Sequence, residues 1–140
     1  MHASTELLPS ALYTADQVKT LDRQAIESLG IPGIKLMKRA GRAAFEVLLQ
    51  RWPEVEAITV FCGGGNNAGD GYVVAGLAAQ KRIIVNVVQL ADAETLGADA
   101  KLAYQFARQE GVIMAPFCEH GAIAGEVVVD ALLGIGSNGA

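Results

Sequence analysis

The chain has 140 residues, the length of one domain with room for a single core. Hydrophobic residues at 51% and charged residues at 19% describe a folded chain, not a disordered one. A net charge of -4, with no basic run and no interleaved aromatic patch, argues against a general binder of nucleic acid. The two cysteines, Cys62 and Cys118, stand far apart without metal-ligand spacing, so they read as reduced thiols. Residues 1–10 lack a basic and apolar leader pattern, and no apolar run reaches membrane-spanning length. The expected setting is cytoplasmic, with no membrane partner.

In chain order, residues 1–12 read as a flexible tail. Thr14 opens a helix with Gln17 as its capping-box partner, and Val18, Leu21, Ala25, Ile26 and Leu29 recur at helical spacing. Gly30-Ile31-Pro32-Gly33 stops it. A second helix is expected from about Ile34 to Arg51, with Leu36, Met37, Ala40, Ala43, Ala44, Val47 and Leu48 as its apolar face. Part of the surface of these two leading helices is a candidate for self-association into a homodimer. Strand signals follow at 57–62, 83–90, 112–115 and 126–133, separated by helical patterns over about 70–82 and 92–111. Leu96, Leu102, Ala103, Phe106 and Ala107 are the expected buried side of the second of these. A lone His120 in the connection after Phe117 reads as a solvated loop residue.

Alternating strands and helices predict an α/β fold: a mostly parallel sheet with helices on both faces and right-handed crossovers. Ligands of such sheets bind beyond the carboxyl ends of the strands. Three features fall on that edge: the turn Gly63-Gly64-Gly65-Asn66-Asn67-Ala68-Gly69-Asp70-Gly71, the second glycine turn Gly134-Ile135-Gly136, and Asp130 at the tip of the fourth strand. The first turn is expected to use its glycines for positive φ and for close approach to a ligand. Its asparagines add amide groups, and Asp70 a carboxylate that can alternatively cap the following helix. The turn matches G-x-G-x-x-G/A, so an NAD-binding oxidoreductase domain stays open. Asp70 at the helix start opposes a pyrophosphate there, and no acidic residue closes the second strand. No Gly-Lys-Ser/Thr is present, which excludes a nucleotidase phosphate loop.

The pair of motifs Gly63–Gly71 and Val128-Val129-Asp130-Ala131-Leu132-Leu133-Gly134-Ile135-Gly136 resembles the YjeF N-terminal domain family, the NAD(P)H-hydrate epimerases. Leu21-Asp22, Leu29-Gly30-Ile31-Pro32, Leu36-Met37 and Ala40-Gly41 resemble the same family's leading helices. The resemblance implies a Rossmann-like three-layer αβα sandwich over residues 13–140, with the C-terminal part of the family domain missing. It implies an isomerase that interconverts the R and S forms of hydrated NADH and NADPH. The functional partner is then an ADP- or ATP-dependent NAD(P)H-hydrate dehydratase, in many bacteria a fused domain. By the same resemblance Asn66, Asn67, Ala68, Gly69 and Asp70 bind substrate together with Gly134, Ile135 and Gly136, while Asn67 and Asp130 hold a potassium ion. Gly64 and Ala68 stand where the family pattern has a proline and a glycine, and Ser137-Asn138 where it has a leucine and a basic residue.

The chemistry so implied starts from a hydroxyl on a ring carbon next to nitrogen. Protonation lets the nitrogen lone pair expel water, a planar iminium forms, and water returning to the other face inverts the centre. Asp130 is the candidate for supplying negative charge, through the potassium or directly. The alternative from another class is a non-catalytic binding or scaffold module on the same fold.

Overall fold

The computed structural model describes residues 31–119, 121, 123 and 125–132. The predicted tail and the helix from Thr14, with His120 and Gly134–Gly136, lie outside the described residues.

Ala57–Cys62 forms β1, an unbroken β-branched and apolar run of the kind a sheet buries on both faces. It is the hub of a four-stranded sheet whose order is β3-β2-β1-β4, with β2 at Ile84–Gln89, β3 at Ile113–Pro116 and β4 at Val127–Ala131. Every pairing is parallel. Helix α1 (Gly33–Arg51) precedes β1, α2 (Asn66–Gln80) crosses from β1 to β2, and α3 (Ala98–Gln109), after a 3₁₀ turn at Ala93–Thr95, crosses from β2 to β3. A parallel sheet needs such crossovers, because no hairpin can connect strands that run the same way.

Helix α2 lies against β1, β2 and β4, and α1 and α3 pack on α2 and on each other. It is buried almost all round, with Tyr72, Ala75 and Ala78 wholly inside, which explains its lack of an apolar stripe. The described residues thus supply the sheet and one helical layer of the α/β fold. On the opposite sheet face, Ile84, Ile113 and Val128 are 61%, 64% and 51% exposed among these residues.

The helical faces differ from expectation in two places. In α1 the buried stripe is Met37, Gly41, Phe45 and Leu48, while Ala40, Ala43, Ala44 and Val47 are exposed. Gly41 decides this: a Cβ there would run into Val73 and approach the Asp70 carbonyl at 3.3 Å, so the helix turns its glycine, not its alanines, toward α2. In α3 the stripe is Ala100, Ala103 and Ala107, and Leu102 is left exposed. Gly97 separates α3 from the preceding 3₁₀ turn, so the region expected as one helix from 92 to 111 is two elements. Asp92 caps the first, accepting from the Glu94 N–H at 2.9 Å.

Helix α2 ends in a Schellman closure, with the Ile83 N–H on the Ala78 carbonyl at 3.1 Å and the Arg82 N–H on Ala79 at 2.9 Å. The left-handed residue of that closure is Arg82, at φ 64. At the same place after α3 stands Gly111, at φ 83.

Candidate functional site

The strand order reverses between β1 and β4, because the chain moves from β1 outward through β2 to β3 and then returns to β1's other side. Such a reversal opens a crevice at the carboxyl edge. Two backbone corners meet there. The Gly63 N–H donates to the Ala131 carbonyl at 3.0 Å, and a side chain at Gly63 would collide with the Leu132 carbonyl. Glycine is required at this position for close approach.

The glycine-rich turn works differently from the sequence expectation. None of Gly63, Gly64, Gly65, Gly69 and Gly71 has a positive φ. Gly65 is extended, at φ -99 and ψ -170, and the helix begins at once with Asn66. Asp70 is therefore the fifth residue of α2 and not its cap, and Gly69 and Gly71 lie inside the helix. Their missing side chains make room: Gly69 for the Met37 thioether, Gly71 for the sheet, where a Cβ would come 2.6 Å from that of Ala131 and 3.1 Å from the Cys62 sulfur. The turn proper is three glycines long.

The N-cap residue of α2, Gly65, has no side chain to cap it, and the start of the helix lies at the carboxyl edge. With the helix dipole behind it, this end suits a phosphate or another anion. Asn66 is exposed, and Asn67 and Asp70 are half-buried; Ala68 and Gly69 are buried in the core contacts of the helix. Asp130 is exposed, one residue inside the end of β4 and in register with Phe61. One of its carboxylate oxygens accepts from the Leu132 N–H at 3.0 Å, which folds the chain over at the strand tip. The other oxygen is an acceptor by nature. The structure thus brings Gly63 against Ala131 and Leu132 at the carboxyl edge, beside the first turn of α2, with Ala131 turned toward the helix and Asp130 alternating onto the other sheet face; Gly134, Ile135 and Gly136 lie outside the described residues.

Neither buried titratable group beside this crevice is poised for proton chemistry. Burial pushes the Cys62 thiol up to about 12. It also pushes the Tyr72 hydroxyl up to about 12, with the hydrogen bond from the Gln89 side chain, at 3.1 Å, opposing the rise.

A second feature of the same edge escaped the sequence reading. Beyond the ends of β2 and β3 lies a cavity of about 580 Å³, lined among others by Gln89, Ala91, Asp92, Tyr104 and Phe117. Gly64 borders it, since a Cβ there would sit 3.2 Å from that of Ala91. Tyr104 meets Tyr72 edge-on with ring centroids 5.4 Å apart. These residues come from three separate segments. The only sequence signal was the polar Gln89 at the end of a mostly apolar strand.

Known proteins share this fold. The fold matches a crystal structure of the yeast protein ynu0 with a TM-score of 0.79 at 18% identity, over 93% of this chain and 59% of that one. The chain is 45% identical over 130 residues to a bifunctional NAD(P)H-hydrate repair enzyme of Coxiella burnetii, covering 93% of this chain and 26% of that protein. It is 34% identical over 132 residues to an NAD(P)H-hydrate epimerase of Rhodobacter capsulatus, covering 89% of this chain and 62% of that protein. This chain therefore spans about a quarter of the one relative and under two thirds of the other. With residues 33–140 matched by its model, the chain belongs to the family described as YjeF-related protein N-terminus.

Proposed function

We propose that this domain acts in NAD(P)H-hydrate epimerisation, interconverting the R and S forms of hydrated NADH and NADPH in the cytoplasm. The observation that carries the proposal is the close contact of the glycine turn with the Asp130–Leu132 corner at the β1/β4 reversal. The N-terminal turn of α2, with Asn66 and Asn67, and the Asp130 corner are tied there by the Gly63–Ala131 hydrogen bond. Relatives that resemble the chain over nine tenths of its length carry epimerase and repair-enzyme names, which supports the same reading.

The α2 terminus receives the anionic pyrophosphate, and the amides of Asn66 and Asn67 reach hydroxyls nearby. Asp130 places one negative charge where the iminium develops. Potassium fits this donor chemistry. A site formed by Asn67 and Asp130 would offer one carboxylate and a neutral amide oxygen. A total charge of minus one suits a monovalent cation better than a divalent one. Asn67 and Asp130 would hold the ion, and it would orient the Asp130 carboxylate and substrate oxygens.

The test uses the full-length protein. Hydrated NADPH enriched in one epimer is followed by chromatography as it re-equilibrates, in potassium and in tetramethylammonium buffers. Fast equilibration in potassium, slowed at least tenfold without it and lost in Asp130→Ala, is expected. Equal rates for wild type, variant and blank would refute the epimerase assignment and leave a binding module.

A further inference from the structure

Two positions one turn apart on α1, Met37 and Gly41, bear on one short stretch of α2. Met37 lies over Gly69, where a Cβ would collide with the thioether sulfur and come 2.6 Å from the Met37 methyl. Gly41 lets Val73 come close, and a Cβ there would stand 3.3 Å from the Asp70 carbonyl. The stretch so held carries Asn67 and Asp70. We propose that Met37 is a positioning residue for this turn: wedged into the notch at Gly69, it fixes where Asn67 and Asp70 stand at the carboxyl edge, and so sets the affinity for substrate. This rests on the epimerase reading for its substrate, and on packing alone for its geometry.

The notch has a back wall. The same Cβ at Gly69 would come 3.1 Å from the Cα of Ala100, a wholly buried residue in the first turn of α3. The start of α1 rests on α3 as well, since a side chain at Gly33 would collide with the Asp99 carboxylate. The first turns of three helices therefore meet at one node, and Met37, 8% exposed, fills it. An unbranched thioether suits so irregular a gap.

Asn67 and Asp70 are three residues apart and share a face of α2, while Gly69 lies roughly 130° round the helix from that face. Met37 thus works from behind the turn, away from a ligand held by the other two. The chain leading into the turn gives little support of its own: Gly64 and Gly65 are exposed, and a Cβ at Gly65 would meet nothing within 4 Å. Truncating the wedge leaves a void that the neighbours fill only in part. A displacement of about 1 Å in a group that holds the substrate is enough to weaken its hold.

The experiment compares the full-length wild type with Met37→Ala, Met37→Leu, the double variant Met37→Ala/Gly69→Ala, and Leu48→Ala. Leu48 is as deeply buried as Met37 and about three turns further along α1, so its truncation stands for a general loss of packing. Two quantities are read: amide hydrogen exchange over residues 66–71, by mass spectrometry, and KM against kcat for hydrated NADPH. Expected in Met37→Ala are at least tenfold faster exchange and at least fivefold higher KM, with kcat within twofold. Leu48→Ala should move neither. In the double variant the new methyl occupies the emptied notch, and KM should fall back toward wild type. Where Met37→Ala does not fold, Met37→Leu, similar in volume but not in shape, should raise KM at least twofold.

Exchange that Met37→Ala leaves unchanged, or that Leu48→Ala raises as much, overturns the positioning role. So does a double variant no better than Met37→Ala, or a folded Met37→Leu with wild-type KM and exchange. Turnover whose KM ignores Met37 sinks the wedge and leaves the epimerase. Exchange that responds as expected in a protein without turnover upholds the wedge and sinks only the epimerase.

Discussion

Cys62 ends β1 wholly inside the protein, between the sheet and Gly71, and burial raises its thiol from 9.0 to about 12. In the unfolded chain the same thiol ionises near its ordinary value. The group's contribution to stability is therefore complete below pH 9 and is lost as pH rises through 12. At about pH 10.5 the unfolded state has gained about 2 kcal/mol from this one ionisation. Tyr72, raised from 10.0 to about 12 by burial, pushes the same way. Replacing Cys62 by Ala removes the thiol's share and leaves a small void, costing about 1 kcal/mol at pH 8. Urea titrations of both proteins from pH 8 to 11 should then give curves that cross. The variant is weaker at pH 8, and stronger by about 1 kcal/mol near pH 10.5. In the native protein a thiol reagent should label the exposed Cys118 and spare Cys62. Parallel pH profiles, or rapid native labelling at Cys62, would refute the reasoning.

Gly71→Ala should cost about 1–3 kcal/mol in a denaturant titration despite alanine's better helix propensity, because the new methyl meets Ala131, Cys62 and Val60 within 3.2 Å. Gly65→Ala, with no atom within 4 Å and an extended backbone, should change the midpoint little; a large loss there would contradict the geometry of the turn. Arg82→Gly relieves a left-handed backbone at φ 64, and should raise stability by roughly 0–1 kcal/mol after the added freedom of the unfolded chain is counted. A fall in melting temperature would show that Arg82 holds the turn by a side-chain contact.

Much of the sheet was legible because parallel strands buried on both faces have a plain signature. The run Ala57–Cys62 is apolar, β-branched and bounded by turn residues, and it forms β1 over those same residues. The edge on which Asp130 and the glycine turn would meet followed from strand direction alone. Glycine is harder to read, since one residue type serves both unusual backbone and close packing. The loop glycines were expected to need positive φ, yet Gly69 and Gly71 are helical residues whose value lies in what they leave empty. That ambiguity displaced the start of α2 by four residues, from Asp70 to Asn66. Helical faces failed for a related reason: counting apolar residues favoured Val47 and Leu102, while the fold turned Gly41 and three alanines inward. The β2/β3 cavity was not legible at all, because its walls come from segments that only the fold brings side by side.

The glycines of the helical layer act as sockets. Met37 seats over Gly69 near one end of α2, Val73 reaches into the hollow at Gly41, and the Phe106 ring fills the one at Gly76. Sliding α2 along its axis would have to unseat all three plugs at once. The N-terminal end of the helix is thus anchored from positions far along its length. Sequence drift at Met37 or Phe106 would be felt first as slack in the seating of α2 on its neighbours.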